Sequence, residues 1–365
     1  MLRTMSELVI NRTTDETGSQ IQNGFVLLEL ARGWLQQANS VVAEELLNSA
    51  INSGEAEKDP ELRARILKET ARSKMMQSDW DEADSLYLEA QRLFSDIQVF
   101  KGAAECARNR ANLYFQKGMY RHAEQYCEQA LNWATEANDH ELRASILNTV
   151  GAIKSATGDL NEAIKMFNLC LSDFQTAGNY SRQGYVILNI GLTQIELKAY
   201  DQAIQKLNEA LSIAFSVKDL HLVEICYQNI SKCYLEQNEA SLAKSVIDTA
   251  RKFLPGLNSQ ALEAELNLTD CKILRMLGHY EAAEELLSET LELAKSRNLS
   301  ALIADLLFEQ GLLLKDQGKF DIARAKLEAA SGQFEKLGML KNCKDVANEL
   351  NQLERTRGAL QTTAG

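Results

Sequence analysis

Small and apolar residues recur along this chain at a fixed interval. Ala43, Ala83, Ala123, Ala163, Ala203, Ala243, Ala283 and Ala323 stand 40 residues apart. A second column stays small: Ala31, Ala71, Ala111, Gly151, Gly191, Ser231, Cys271 and Gly311. A third holds large apolar residues, from Leu47 and Tyr87 through Phe167 to Leu327, and a fourth returns to small ones, from Ala50 to Ala330. Within a unit, Ala123, Cys127 and Ala130 fall at i, i+4 and i+7, which is one face of a helix. The small column precedes that face on a separate helix. Between the two lies a turn with Gly118, Gly158, Gly278 or Gly318, or with Ser78, Lys198 or Asn238 in its place; glycine suits the left-handed residue that closes a helix. A second junction carries Asp59, Asp139, Asn179 and Asp219 in register, residues that accept from free amides at the next helix start.

Each unit is therefore predicted to be helix–turn–helix, with helices of about 15–18 residues. The expected organisation is a polar, mobile segment 1–22, then eight units at 24–63, 64–103, 104–143, 144–183, 184–223, 224–263, 264–303 and 304–343. The span 344–365 is expected to give a capping helix over 344–356 and a loose tail from Gly358. Small columns let paired helices approach closely, with a large side chain from the next unit filling the gap. No unit can bury its apolar face alone, so the array is one structure rather than eight domains.

Composition narrows the function classes. Two Pro and nineteen Gly in 365 residues leave little turn material for a sandwich, barrel or doubly wound sheet. The net charge of −12 argues against nucleic-acid and anionic-membrane binding, both of which need a Lys/Arg surplus. No apolar run approaches the ~20 residues of a membrane span, and the N-terminus has no apolar leader. A cytoplasmic protein with reduced thiols is expected. Five of the seven Cys (106, 127, 170, 226, 271) fall in packing columns, and none is spaced as a metal ligand. Cys343 is the best candidate for an exposed thiol. The four His sit in no HExxH, and neither a GxSxG nor a phosphate-binding loop occurs. No catalytic residue, cofactor or metal is expected.

The order small–turn–aromatic–xx–Ala–xxx–large–xx–Ala, seen in GMYRHAEQYCEQAL (118–131), KAYDQAIQKLNEAL (198–211) and GHYEAAEELLSETL (278–291), resembles the tetratricopeptide repeat. The resemblance covers about residues 24–343. The common repeat is about 34 residues long. The longer unit of this chain is similar to those of kinesin light chain, the Leu-Gly-Asn polarity adaptors and sensor domains of maltose-type bacterial regulators. The family's closing proline has a counterpart only at Pro255. The resemblance implies an all-α, right-handed superhelical solenoid of about eight helix–turn–helix repeats plus a C-terminal capping helix. It also implies a non-enzymatic adaptor that holds a partner segment on a concave face lined by the first helix of each unit.

With the packing columns removed, the exposed strip of those first helices carries Arg65, Lys68 and Arg72, then Arg108, Asn109 and Asn112, then Asn148. Tyr185 and Asn189 follow, then Gln228, Asn229 and Lys232. Asn109, Asn189 and Asn229 share one column, with Thr149 between. An asparagine offers both donor and acceptor and can grip an extended backbone, while arginine pairs with carboxylates. The strip thus suits a protein or peptide segment, extended or helical, with acidic side chains. Some related domains clamp a C-terminal carboxylate with Lys and Asn from two repeats. Here Arg108 and Asn112 match in part, but Thr149 replaces the next Asn, so that clamp is not expected. Self-association by stacking of exposed ends is disfavoured at the polar C-terminal cap. The alternative reading is a ligand- or signal-peptide-sensing module that acts on a separate effector protein.

Overall fold

The computed structural model describes residues 23–253 and 260–363. The polar segment 1–22, Pro255 and the last two residues lie outside the described residues. Two compact units divide at Thr193/Gln194.

In the first unit, helices α1 (Gly24–Gln36) and α2 (Ser40–Ile51) form one packed pair, and α3 (Pro60–Met76) and α4 (Trp80–Asp96) a second. The next pairs are α5 (Phe100–Gln116) with α6 (Tyr120–Glu136), and α7 (His140–Ala156) with α8 (Leu160–Thr176). Helix α9 (Tyr180–Glu196) contains the division. The second unit continues with α10 (Tyr200–Val217), α11 (Leu220–Glu236), α12 (Ala240–Phe253), α13 (Gln260–Met276) and α14 (Tyr280–Ser296). It ends with α15 (Ser300–Asp316), α16 (Phe320–Lys336) and α17 (Leu340–Thr363). All regular structure among the described residues is helical, and the fold is an all-α solenoid of helix–turn–helix repeats. No helix among them is long and apolar enough to cross a membrane.

The columns explain the packing. Every member of the alanine column from Ala43 to Ala323 is fully buried. A methyl group on Gly151 would stand 2.5 Å from Phe167, and one on Gly311 would stand 2.7 Å from Leu327. These pairs lie within one hairpin, α7–α8 and α15–α16. The side chain that fills the gap therefore comes from the paired helix of the same unit, not from the next unit as the sequence suggested. The reason is geometric: antiparallel helices joined by a tight turn bring positions such as 151 and 167 to the same level.

Within the first unit, α3 touches α1 and α5, and α5 touches α7; within the second, α13 touches α11 and α15. First helices thus form the more closely packed layer of each unit.

Left-handed turns stand at both kinds of junction, within hairpins and between them. Positive φ recurs at Ala38, Ser78, Gln98, Gly118, Asn138, Gly158 and Gly178 in the first unit, and at Lys198, Lys218, Asn238, Gly278, Asn298, Gly318 and Gly338 in the second; the junction after α2 has none. Those between paired helices were expected from the sequence, and those at the other junction were not. Asp and Asn caps stand at four of the junctions between hairpins. Asp59 accepts from the amides of Glu61 and Leu62, Asp139 from Leu142, Asn179 from Arg182 and Asp219 from Leu222.

Helix α17 starts earlier and runs further than the expected cap, so the stretch from Gly358 to Thr363 is helical rather than loose. Its Val346 and Leu353 are buried against a cluster with Leu314, Leu327 and Phe334. Cys343 packs partly buried against the same cluster and is not an open thiol.

Candidate functional site

The strip predicted from the sequence places nine residues in the first unit and three in the second. In the first unit it is built on α3, α5, α7 and the start of α9. These helices turn their small columns toward their partners, which leaves the opposite stripe free.

Several charges on this strip are already paired. Arg65 bonds Glu61 one turn away at 2.5 Å. Lys68, expected to be accessible, is buried and bonded to Glu105 of α5. Glu69, only 5% exposed, draws in Arg32 at 3.1 Å, Arg72 at 3.7 Å and Lys68 at 3.9 Å. A buried carboxylate collects cations because nothing else offsets its lost hydration.

Arg108 is different. Its Nε is buried without a partner, and Nη2 donates only to Asn109 Oδ1 at 3.4 Å. Among the described residues it forms no ion pair; Glu105, one turn before it, is taken by Lys68. Burial pushes the guanidinium below its ordinary pKa, and repulsion from Arg182 pushes the same way against the pull of Glu105.

The asparagines are also partly engaged. Asn112 Oδ1 accepts from Thr149 at 3.2 Å, and Asn148 Oδ1 accepts from Asn189 Nδ2 at 2.9 Å. Asn229 in the second unit donates to the Ile225 carbonyl of its own helix at 2.8 Å, and Gln228 donates to Glu224 and Glu265. The column of Asn109, Asn189 and Asn229 does not stand as a row of unengaged amides.

Among the described residues, clefts open on the first-helix faces, three of which bear on the strip. One of about 660 Å³ lies between α3 and α5, with Lys68, Arg72 and Arg108 on its walls and Tyr87 of α4 beneath. A second of about 480 Å³ lies between α5, α7 and α9; Arg108, Asn112, Asn148, Arg182 and Tyr185 surround it, over Phe174 of α8. The third, about 640 Å³ in the second unit, holds Gln228, Asn229 and Lys232 beside Glu265, Lys272 and Asp305. Arg108 lines both clefts of the first unit. Arg65 and Asn189 line none of the three.

Arg182 was missed by the sequence reading. The signal was present, because it precedes Tyr185 by three residues on the same helix and so shares its face. Glu265, Lys272 and Asp305 were also missed, although Glu265 and Asp305 share the column of Arg65 and Tyr185, and Lys272 that of Arg72, Asn112 and Lys232.

None of the cysteines or histidines lines these three clefts. Cys106, Cys127, Cys170, Cys226 and Cys271 are buried, and burial raises each thiol to about 12; such thiols are inert at neutral pH. His122 stacks on Tyr114, and His140 and His221 lie near Asp173 and Glu224. No group of three or more metal-ligating side chains occurs among the described residues.

The family model for the MalT-like TPR region matches residues 104–356. Among solved structures, the apo form of RapI aligns over 92% of this chain and 92% of its own, at 15% identity and a TM-score of 0.68. The apo form of the quorum sensor NprR from B. thuringiensis aligns over 90% of this chain and 97% of its own, at 16% identity and a TM-score of 0.56. Rap protein complexed with Competence and Sporulation Factor aligns over 91% of this chain and 98% of its own, at 14% identity and a TM-score of 0.55. At these identities the likeness is one of fold. No curated protein matches the chain.

Proposed function

This chain belongs to the MalT-like TPR family, and from that premise we propose that it is a non-enzymatic interaction scaffold of the cytoplasm. It holds an extended or helical segment of a protein partner against the first-helix face of its first unit. The observation that carries this reading is the pair of polar clefts that meet at Arg108. Clefts walled by arginine and asparagine and floored by Tyr87 and Phe174 offer the mixture that peptide recognition uses: donors for polar groups and flat apolar area beneath. The surplus of cation over carboxylate around Arg108 favours an acidic segment.

The test is capture from native lysate by the wild-type chain and by an Arg72→Glu/Arg108→Glu variant whose helicity is checked by circular dichroism. Cross-linking then maps the captured segment. The reading expects capture by wild type, loss by the variant and cross-links to α3, α5 and α7. Undiminished capture by the variant overturns it.

A second reading, a sensor of a small ligand or signal peptide that acts on a separate effector, is favoured by the fold likeness to a quorum sensor and to a Rap protein in complex with a signalling factor. It predicts that a bound peptide alters the chain's association with another protein. Capture of the same effector with and without peptide, to the same extent, removes this reading.

A further inference from the structure

The cleft between α5, α7 and α9 has an unusual inventory of polar groups for a chain of net charge −12. Two arginines line it, Arg108 and Arg182, and no carboxylate does. Arg108 is the desolvated cation without an ion pair described above. Arg182 lies over the Phe174 ring, 5.9 Å from its centroid, with Glu141 no nearer than 4.0 Å and Ser145 Oγ at 3.5 Å. The two guanidiniums are close enough for one to disfavour the charge of the other. The acceptor oxygens of the neighbouring amides are spoken for: Asn112 Oδ1 by Thr149 and Asn148 Oδ1 by Asn189. Each also carries an N–H2 group that can donate into the cleft. The cleft is rich in donors, holds no carboxylate and carries two like charges.

Chemistry selects the complement. A neutral amide or hydroxyl would leave both cations uncompensated. A single carboxylate brings one negative charge and two oxygens. A phosphate ester brings close to two negative charges at neutral pH and three strong acceptor oxygens, and guanidinium forks meet such oxygens in pairs. Resting on the segment-binding reading above, we propose that this cleft is a phosphoryl seat, which takes the phosphate of a phosphorylated side chain on the bound segment. Arg108 and Arg182 supply the charge, and the Asn112 and Asn148 amides supply further donors. The segment's backbone continues past Arg108 toward the cleft between α3 and α5. The free protein holds Arg108 uncompensated, and the phosphate removes that penalty on binding.

The experiment uses the full chain and three fluorescent pools of random octapeptides free of Asp and Glu, with serine, phosphoserine or glutamate fixed at the centre. The phosphoserine pool is expected to bind at least tenfold more tightly than the other two. Excess inorganic phosphate should displace it, and Arg108→Gln should erase the difference. Arg108→Gln should melt no lower than wild type, because it removes a desolvated cation without a partner. Arg182→Gln, at a half-exposed side chain, is the second variant and should cut the preference several-fold. The Nε–Hε resonance of Arg108 should shift when inorganic phosphate alone is titrated. If the three pools bind alike, the segment reading stands and the phosphoryl seat falls. If glutamate equals phosphoserine, the site is a carboxylate site and the proposal is overturned. If phosphate shifts the resonance but the pools do not differ, the site serves a free phosphate compound and the segment-borne form is overturned. If no pool binds, both the seat and the segment reading fall.

Discussion

At the residue scale, the fold rests on positions where one carbon atom decides. Gly151 admits no methyl group without moving Phe167, so Gly151→Ala should destabilise the chain by ~1–3 kcal/mol despite the better helix propensity of alanine. Gly33 has nothing within 4 Å of such a methyl, so Gly33→Ala should stabilise by ~0.5–1 kcal/mol. Thermal melts of the two variants check the contrast, and equal shifts would contradict the packing. A second prediction concerns charge. Glu224 is 1% exposed, and burial, reinforced by Glu265, raises its carboxyl to about 8; His221 and Gln228 are its other polar neighbours. Between the ordinary glutamate pKa of ~4.3 and about 8, the folded chain holds a proton that the unfolded chain has lost. Stability therefore falls as pH rises through that window and levels above it. Glu224→Gln abolishes that slope, so its melting temperature should gain on wild type between pH 5 and pH 8.5. Parallel pH profiles would refute the buried proton. The small columns were legible in the sequence because close helix contact excludes larger side chains at the same place in every repeat. Glu224 was not, because no periodicity announces which carboxylate loses its water.

At the scale of the element, the ends of the helices are set by two devices in tandem. A left-handed residue closes most of the helices, and at four junctions between hairpins an Asp or Asn opens the next. Asp59 accepts two amides at the start of α3, whereas Asp159 before α8 makes no side-chain cap bond. Asp59→Ala should cost ~1 kcal/mol, while Asp159→Ala should stay within ~0.5 kcal/mol. Denaturant midpoints of the two variants decide, and an equal effect would mean that the caps contribute nothing. The caps could be read from the sequence because they occur in register. The left-handed residues at the same kind of junction could not, because Gln98, Asn138 and Lys218 carry no glycine signature and are held at positive φ by the chain on either side. The same limit explains the misjudged packing partner of Gly151, since periodicity reports that two columns meet but not whether they meet within a hairpin or between hairpins.

At the scale of the molecule, the repeat makes each hairpin depend on its neighbours, and the last one depends on α17. Val346 and Leu353 cover Leu314 and Phe334, so deleting residues 340–365 should expose that apolar end and drive self-association. Light scattering of the truncated chain should show concentration-dependent species absent from wild type, and a monodisperse product would show that the end needs no cover. The charged strip behaves differently from the core. Local composition showed that arginines and asparagines line the first helices, but Lys68, Arg65 and Arg72 were spent on nearby carboxylates, and Asn229 on its own helix. By itself the sequence determined the helical repeat, its period and the identity of the core columns, because close packing tolerates only a few side chains at each such site and repeats that restriction in every unit. The tertiary structure alone decided which surface cations remain without a partner. Arg65 and Arg72 pair within their own helix, but Lys68 is neutralised by a carboxylate of the adjacent helix, most of a repeat away in the chain. Arg108 is left over because Glu105 turns to Lys68.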